Sequence, residues 1–272
     1  MSETSTSTAP PSSAPESATP AATGTSAAAE ETRRGWRALG VQIAVLLAIL
    51  AGFAVWLAVA PLSDTERNTL NPATLLNLTG QHLALTLVST VLVLVIAIPL
   101  GVLLTRKPFR RAAEPILAVV NFGQAAPAVG LIVLIAALVP DGFRAAVIAL
   151  VLYAVLPVLR NTMIGIRGVD QRLVEAGRGM GMTALSVLLR VELPLAVPVM
   201  LSGVRTALVL LVGTASLAAF VNGGGLGLLI TTGVNLYLFT VLIAGALLIA
   251  LLALIVDWVG RVVEHIARPK GL

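Results

Sequence analysis

The sequence predicts an all-α protein, a polytopic transmembrane bundle of six spans, on three observations. Only 11% of the 272 residues are charged, against 57% hydrophobic. A soluble domain carries about 25% charged residues, so too few polar side chains remain here to cover a water-facing surface. Six segments, some with polar interruptions, reach the roughly 20 mostly apolar residues that a helix needs to cross a hydrocarbon core. Finally, Lys and Arg collect in alternate connections between those segments, which is how a membrane chain records its topology.

The elements run in order. Residues 1–35 read as a disordered cytoplasmic tail. Through residue 32 they are nearly all Ser, Thr, Ala, Pro and Glu, and such a segment buries too little apolar surface to offset its chain entropy. Its composition also lacks the basic start and apolar core of a signal peptide. The membrane domain is 36–272, with spans near 39–60, 83–104, 115–139, 144–164, 199–220 and 238–259. Thr86, Ser89 and Thr90 are the polar residues of the second span beyond its first turn. The third carries Asn121 and Gln124 near its start and Pro127 in its interior. Pro99, Pro127 and Pro157 each remove a backbone donor inside a span, which membrane helices tolerate where neighbours satisfy the freed carbonyl.

Of the 18 Lys and Arg residues, all but Arg67 and Arg144 fall on one side of this arrangement. The positive-inside rule makes that side cytoplasmic, with both termini on it, and gives a multi-pass protein of the cell (plasma or inner) membrane. A nucleic-acid partner is not expected, because the basic residues lie between apolar runs and not on one face.

Several chemistries have no residues to perform them. There is no cysteine, which excludes disulfides and thiolates. His82 and His265 fall at or beyond span ends, so neither a metal site nor a histidine relay is expected, and no catalytic nucleophile–base pair is visible. Asp257 is the one acid within a span, read as one turn from the end of the sixth. An ion-coupled secondary transporter places ionisable groups deep in its spans, so that reading is disfavoured. The run Gly223-Gly224-Gly225-Leu226-Gly227 lacks the Lys-Ser/Thr of a phosphate loop. It reads as an external gate, a re-entrant turn or a plain flexible loop. Asn121, Gln124, Thr214 and Ser216 are candidate pathway-lining groups, with satisfied interhelical hydrogen bonds as the alternative.

The connection from the fourth to the fifth span, about 166–198, is long for a bundle. Asp170 is placed to cap a short helix through Met180 and Thr183 a second through Val191, with Leu193-Pro194 ending it. Gly177 and Gly179 each cost helix stability of about 1 kcal/mol relative to alanine, a sacrifice that makes sense where another surface approaches the backbone. The two helices, joined at Gly181, present Leu173, Ala176, Gly177 and Met180 to a cytoplasmic partner. A self-contained loop lying on the membrane satisfies the same pattern.

Glu175-Ala176-Gly177, three residues, Gly181, nine residues, then Val191-Glu192-Leu193-Pro194 closely resembles the signature of binding-protein-dependent ABC importer permeases. That pattern runs Glu-Ala-Ala, Gly, and Ile/Val-x-Leu-Pro at the same intervals, and Gly177 stands for its second alanine. The resemblance implies a type I importer permease fold. It makes the segment a coupling helix seated in a groove of a separate ATPase subunit, with Glu175 as the contact and Gly181 as the turn, and with Ala176, Gly177, Leu193 and Pro194 completing the coupling loop. It also implies two cytoplasmic ATPase subunits, a second permease (identical or paralogous), an extracytoplasmic binding protein and surrounding lipid, with no cofactor and no catalysis in this chain. Ile98-Pro99-Leu100-Gly101 through Thr105-Arg106, Leu156 to Thr162 with Gly165 to Val169, and Ala218-Ala219-Phe220 with the glycine run are similar to the osmoprotectant branch, whose members take up glycine betaine, carnitine, choline and related quaternary amines. Another small solute, such as an amino acid, is the alternative cargo.

Overall fold

The computed structural model describes residues 23–267. The expected tail falls outside this range up to residue 22. Helix α1 (Thr23–Val59) already begins within the stretch expected to be irregular, where Ala27 to Glu31 is a run of strong helix formers. The described residues fall into two units, one ending at Ala38 and the other beginning at Leu39, and every element after α1 belongs to the second.

A short helix, α2 (Asp64–Thr69), carries a capping box between Ser63 and Glu66. The second span is longer than its apolar core, α3 (Pro72–Thr105), because the Asn71 side chain accepts from the Thr74 N–H and Pro72 is preset for the first turn. Then come α4 (Ala113–Ala125), α5 (Ala128–Leu138) and α6 (Gly142–Arg167), started by Asp141. The long connection holds α7 (Gln171–Gly179) and α8 (Ala184–Val187). The last spans are α9 (Leu193–Ala215), which tightens into a 3₁₀ run at Ser216–Val221, and α11 (Phe239–Ala267), with the short α10 (Gly227–Asn235) between them.

Among the described residues, five helices are long and apolar enough to cross a membrane. The expected third span is not one helix: α4 and α5 meet at 97°. Pro127 is the cause, since it disfavours helical backbone at Ala126, which is extended with ψ of 144°. The bent pair still performs the work of a span. It leaves the bundle end where Arg106 meets the long connection, and α5 finishes three residues before α6 starts at the opposite end.

Polarity across α3 is inverted relative to a soluble helix. His82, Thr86, Ser89 and Thr90 lie on the buried stripe with Leu85, Val93 and Ala97, while Leu87, Val91 and Val95 are exposed. This is the arrangement a hydrocarbon surround selects, with polar groups turned to the protein interior. At the centre α6 packs against both α3 and α9, at distances only glycine permits. A methyl at Gly101 would lie 2.7 Å from Thr162 Cγ2, and one at Gly203 would lie 2.5 Å from Asn161 Cβ.

Candidate functional site: the hairpin after α6 and the glycine turn

Local chemistry builds the hairpin. Asp170 caps α7 by accepting from the Arg172 N–H at 2.9 Å. The helix stops in a Schellman arrangement: Gly181, at φ +82°, takes the left-handed position. The Gly181 N–H donates to Arg178 O at 2.9 Å and the Met182 N–H to Gly177 O at 3.1 Å. Thr183 then caps α8 through the Ser186 N–H. Val174 and Val187 turn inward onto Ile166, Val169, Ala196 and Met200, with Ile98 and Val102 of α3 packed against the same cluster. The outer face exposes Leu173, Met180, Leu185 and Leu189 together with Glu175 and Ala176.

Two expectations change here. Gly177 does not face outward. It is buried, with Met182 Sδ and Val187 Cγ2 3.3 and 3.5 Å from where its Cβ would be, so its small size serves the hairpin's own packing. Nor do Leu193 and Pro194 end the second helix. From α8 the chain passes through a π turn at Leu188–Glu192 straight into α9, the Leu193 N–H donating to Leu188 O. Pro194 falls in the first turn of α9, where a missing N–H costs little. The hairpin's second arm is therefore one helical run, Ala184–Val221, with a span.

Glu192 is buried within that run. Its carboxylate pairs with the guanidinium of Arg106, the residue at which α3 ends and the backbone turns extended. A carboxylate amid Leu189, Val191 and Leu193 demands a cation, and that is the one signal in the sequence that points to this contact. Asp257 also differs from expectation. Helix α11 continues to Ala267, ten residues past Asp257, whose carboxylate is held by ion pairs. Arg205 Nε lies 3.5 Å from Asp257 and its Nη1 is 2.8 Å from Glu264, while Arg261 lies 2.9 Å from Asp257.

At the opposite end the glycine turn is anchored. Asn222 adopts φ of 58°, Gly224 +82° and Gly225 +87°, and the Gly223 N–H closes onto Ala218 O at 2.8 Å. Gln81 Oε1 accepts from the Gly225 N–H at 3.0 Å and His82 Nδ1 from the Leu226 N–H at 3.3 Å. The other ring nitrogen, Nε2, lies 2.9 Å from Val212 O, in the last turns of α9. A backbone N–H only donates and a carbonyl only accepts, so the imidazole is neutral with its hydrogen on Nε2. The apolar pattern places His82 at the end of a span. It is instead fully buried on α3, fastening the turn and α9 to that helix.

The remaining pathway candidates lie on α4 and at the end of α9. Thr214 Oγ1 donates to Leu210 O at 2.8 Å and Ser216 Oγ to Gly213 O at 2.7 Å, bonds within one helix and not between helices. Thr214 also borders a narrow crevice with Ala128, Leu131, Leu150 and Tyr153. Asn121 is exposed and Gln124 half-buried on the last turns of α4, before the bend.

A bent third span, a capped hairpin between the fourth and fifth, and an ion-paired bundle end beside that hairpin are the features of a multi-pass membrane permease. The chain belongs to the family described as the binding-protein-dependent transport system inner membrane component, which matches residues 97–268. It is 43% identical to the glycine betaine/carnitine/choline transport system permease protein OpuCB of Bacillus subtilis over 202 residues, covering 74% of this chain and 92% of that one. It is 39% identical to the osmoprotectant import permease protein OsmW of Salmonella typhimurium, covering 74% and 95%. Among solved structures, the MetNI methionine ABC transporter in inward-facing conformations superposes with a TM-score of 0.65 at 25% identity, covering 76% of this chain and all of that one.

Proposed function

We propose that this chain forms half of the translocation pathway of an ATP-driven importer for a quaternary-amine osmoprotectant of the glycine betaine, carnitine and choline class. The hairpin carries the reading. Its exposed Glu175 and Ala176 stand on a short helix fixed by caps at both ends, and the hairpin's second arm is continuous with a span. A cytoplasmic ATPase that seats this helix gains a mechanical hold on the bundle. Two such ATPase subunits, a second permease and an extracytoplasmic binding protein complete the assembly in lipid, with the hairpin and both termini in the cytoplasm. The names of the relatives support the cargo class.

ATP binding and hydrolysis then move the hairpin, and the spans alternate between inward-open and outward-open states. The glycine turn at Gly223–Gly225 serves as the external gate, and Asn121, Gln124, Thr214 and Ser216 border the route. An amino-acid cargo is the second reading, favoured by the likeness to a methionine transporter. Reconstitution decides between them. Labelled glycine betaine accumulates in proteoliposomes only with the ATPase, the binding protein and ATP present, and unlabelled choline or carnitine competes while methionine does not. Competition by methionine alone moves the cargo to the amino-acid class, and uphill uptake by this chain alone contradicts the importer reading.

A further inference from the structure

We infer that Arg106 and Glu192 are positioning residues that pass movement of the hairpin to α3, and through α3 to the glycine turn. The inference rests on the hairpin being the ATPase dock. The hairpin is attached to the bundle in three unequal ways. Its second arm continues into α9 through the π turn, so α9 moves with it directly. The end of α6 joins it through Ile166 and Val169, both buried in the hairpin's own core. By contrast, α3 meets that core only through the half-buried Ile98 and Val102 at its edge. Apolar contacts of that kind are non-directional and slide. The directional link is the Arg106–Glu192 pair, with the carboxylate 9% and the guanidinium 31% exposed and Arg106 Nε buried without a partner.

The placement of each partner gives the pair its reach. Glu192 closes the π turn, a wide and weakly bonded turn that recurs at functional sites, at the junction of hairpin and span. Arg106 is the first residue past α3. Twenty-four positions back along that one helix stands His82, which holds Leu226 and Val212, with Gln81 beside it on Gly225. At 1.5 Å per residue the two attachments lie about 36 Å apart. A single helix is thus bonded by side chains to the hairpin at one end and to the glycine turn at the other.

The test uses the assembled importer in proteoliposomes. The chain has no cysteine, so Phe220→Cys, at an exposed position beside the glycine turn, provides a unique thiol whose labelling rate by a maleimide reports on that end. In the parent, ATP changes this rate. Glu192→Gln and Arg106→Gln each abolish the ATP-dependent change and lower solute carried per ATP about fivefold or more, the scale of a typical coupling free energy, while ATP hydrolysis and ATPase copurification stay near the parent's. The swapped variant, Arg106→Glu with Glu192→Arg, recovers both readouts. Single variants that keep the ATP-dependent change overturn the inference. So does joint loss of ATPase copurification and uptake, which makes the pair a support of the docking surface and not a link beyond it. A parent assembly without ATP-dependent labelling and without a copurifying ATPase defeats the docking reading itself, and the inference with it.

Discussion

The two ends of the bundle are held in opposite ways. The hairpin after α6 takes its turns from its own neighbours in sequence. Asp170, Gly181 and Thr183 each act within about four residues, and a reader of the sequence can place them. The glycine turn is fixed from a distance, by Gln81 and His82 about 144 residues earlier in the chain. Local capping makes an end that can move as a unit without losing its shape. Long-range bonding makes an end whose shape depends on where another helix stands. A part that is pushed suits the first construction, and a part that must respond suits the second.

Substitutions break this contrast in graded steps. The largest effect is expected at Gly227, whose Cβ would fall 1.9 Å from Ser216 O. Overpacking costs about 1–3 kcal/mol and occasionally more, and a backbone atom cannot rotate away as a side chain can. Gly227→Ala should therefore lower the thermal midpoint of the purified protein by several degrees or leave it aggregated on size exclusion. His82→Ala comes next. It strands the Leu226 N–H in the interior and removes the side-chain bond to Val212; an unsatisfied buried group costs about 1–3 kcal/mol. A midpoint unchanged from the parent would mean that the turn is held by its glycines alone.

The hairpin should respond less in stability. Gly181→Ala places a side chain at φ +82°, a penalty of about 1–2 kcal/mol confined to the α7–α8 junction. Its expected signature is a small midpoint shift with a larger fall in solute uptake. Glu175→Ala, at an exposed position, should leave the midpoint within about 0.5 kcal/mol of the parent and still reduce ATP-driven uptake at least tenfold. If Glu175→Ala destabilised the fold as much as His82→Ala, the hairpin would not be a self-contained unit.

What is legible in the sequence divides along the same line. Length and apolar composition give α1, α3, α6, α9 and α11, and cap residues give the starts of α7 and α8, because a cap acts over one helix turn; the end expected at Leu193-Pro194 is overridden by the continuous run into α9. The bend at Pro127 is visible as a proline but not as a 97° turn, since the angle depends on packing against α6. Gly177 is legible as a small residue, yet whether it faces a partner or Val187 depends on which side of α7 meets the core. His82 looks peripheral because the apolar run begins at Leu83. Its burial comes from α3 extending back to Pro72 and from two backbone partners on other elements. The Arg106–Glu192 pair is non-local in the same sense: each residue is explicable by position, and only the fold joins them.

Everything proposed for the importer depends on the hairpin as the place where the ATPase engages. With no native cysteine in the chain, the most direct measurement is site-specific cross-linking of the assembled complex from Ala176→Cys on α7, with Arg144→Cys at the opposite end of α6 as the reference. Docking at the hairpin predicts a cross-link from position 176 to the ATPase subunit and none from position 144. No cross-link at 176, or equal cross-linking at both ends, would contradict it.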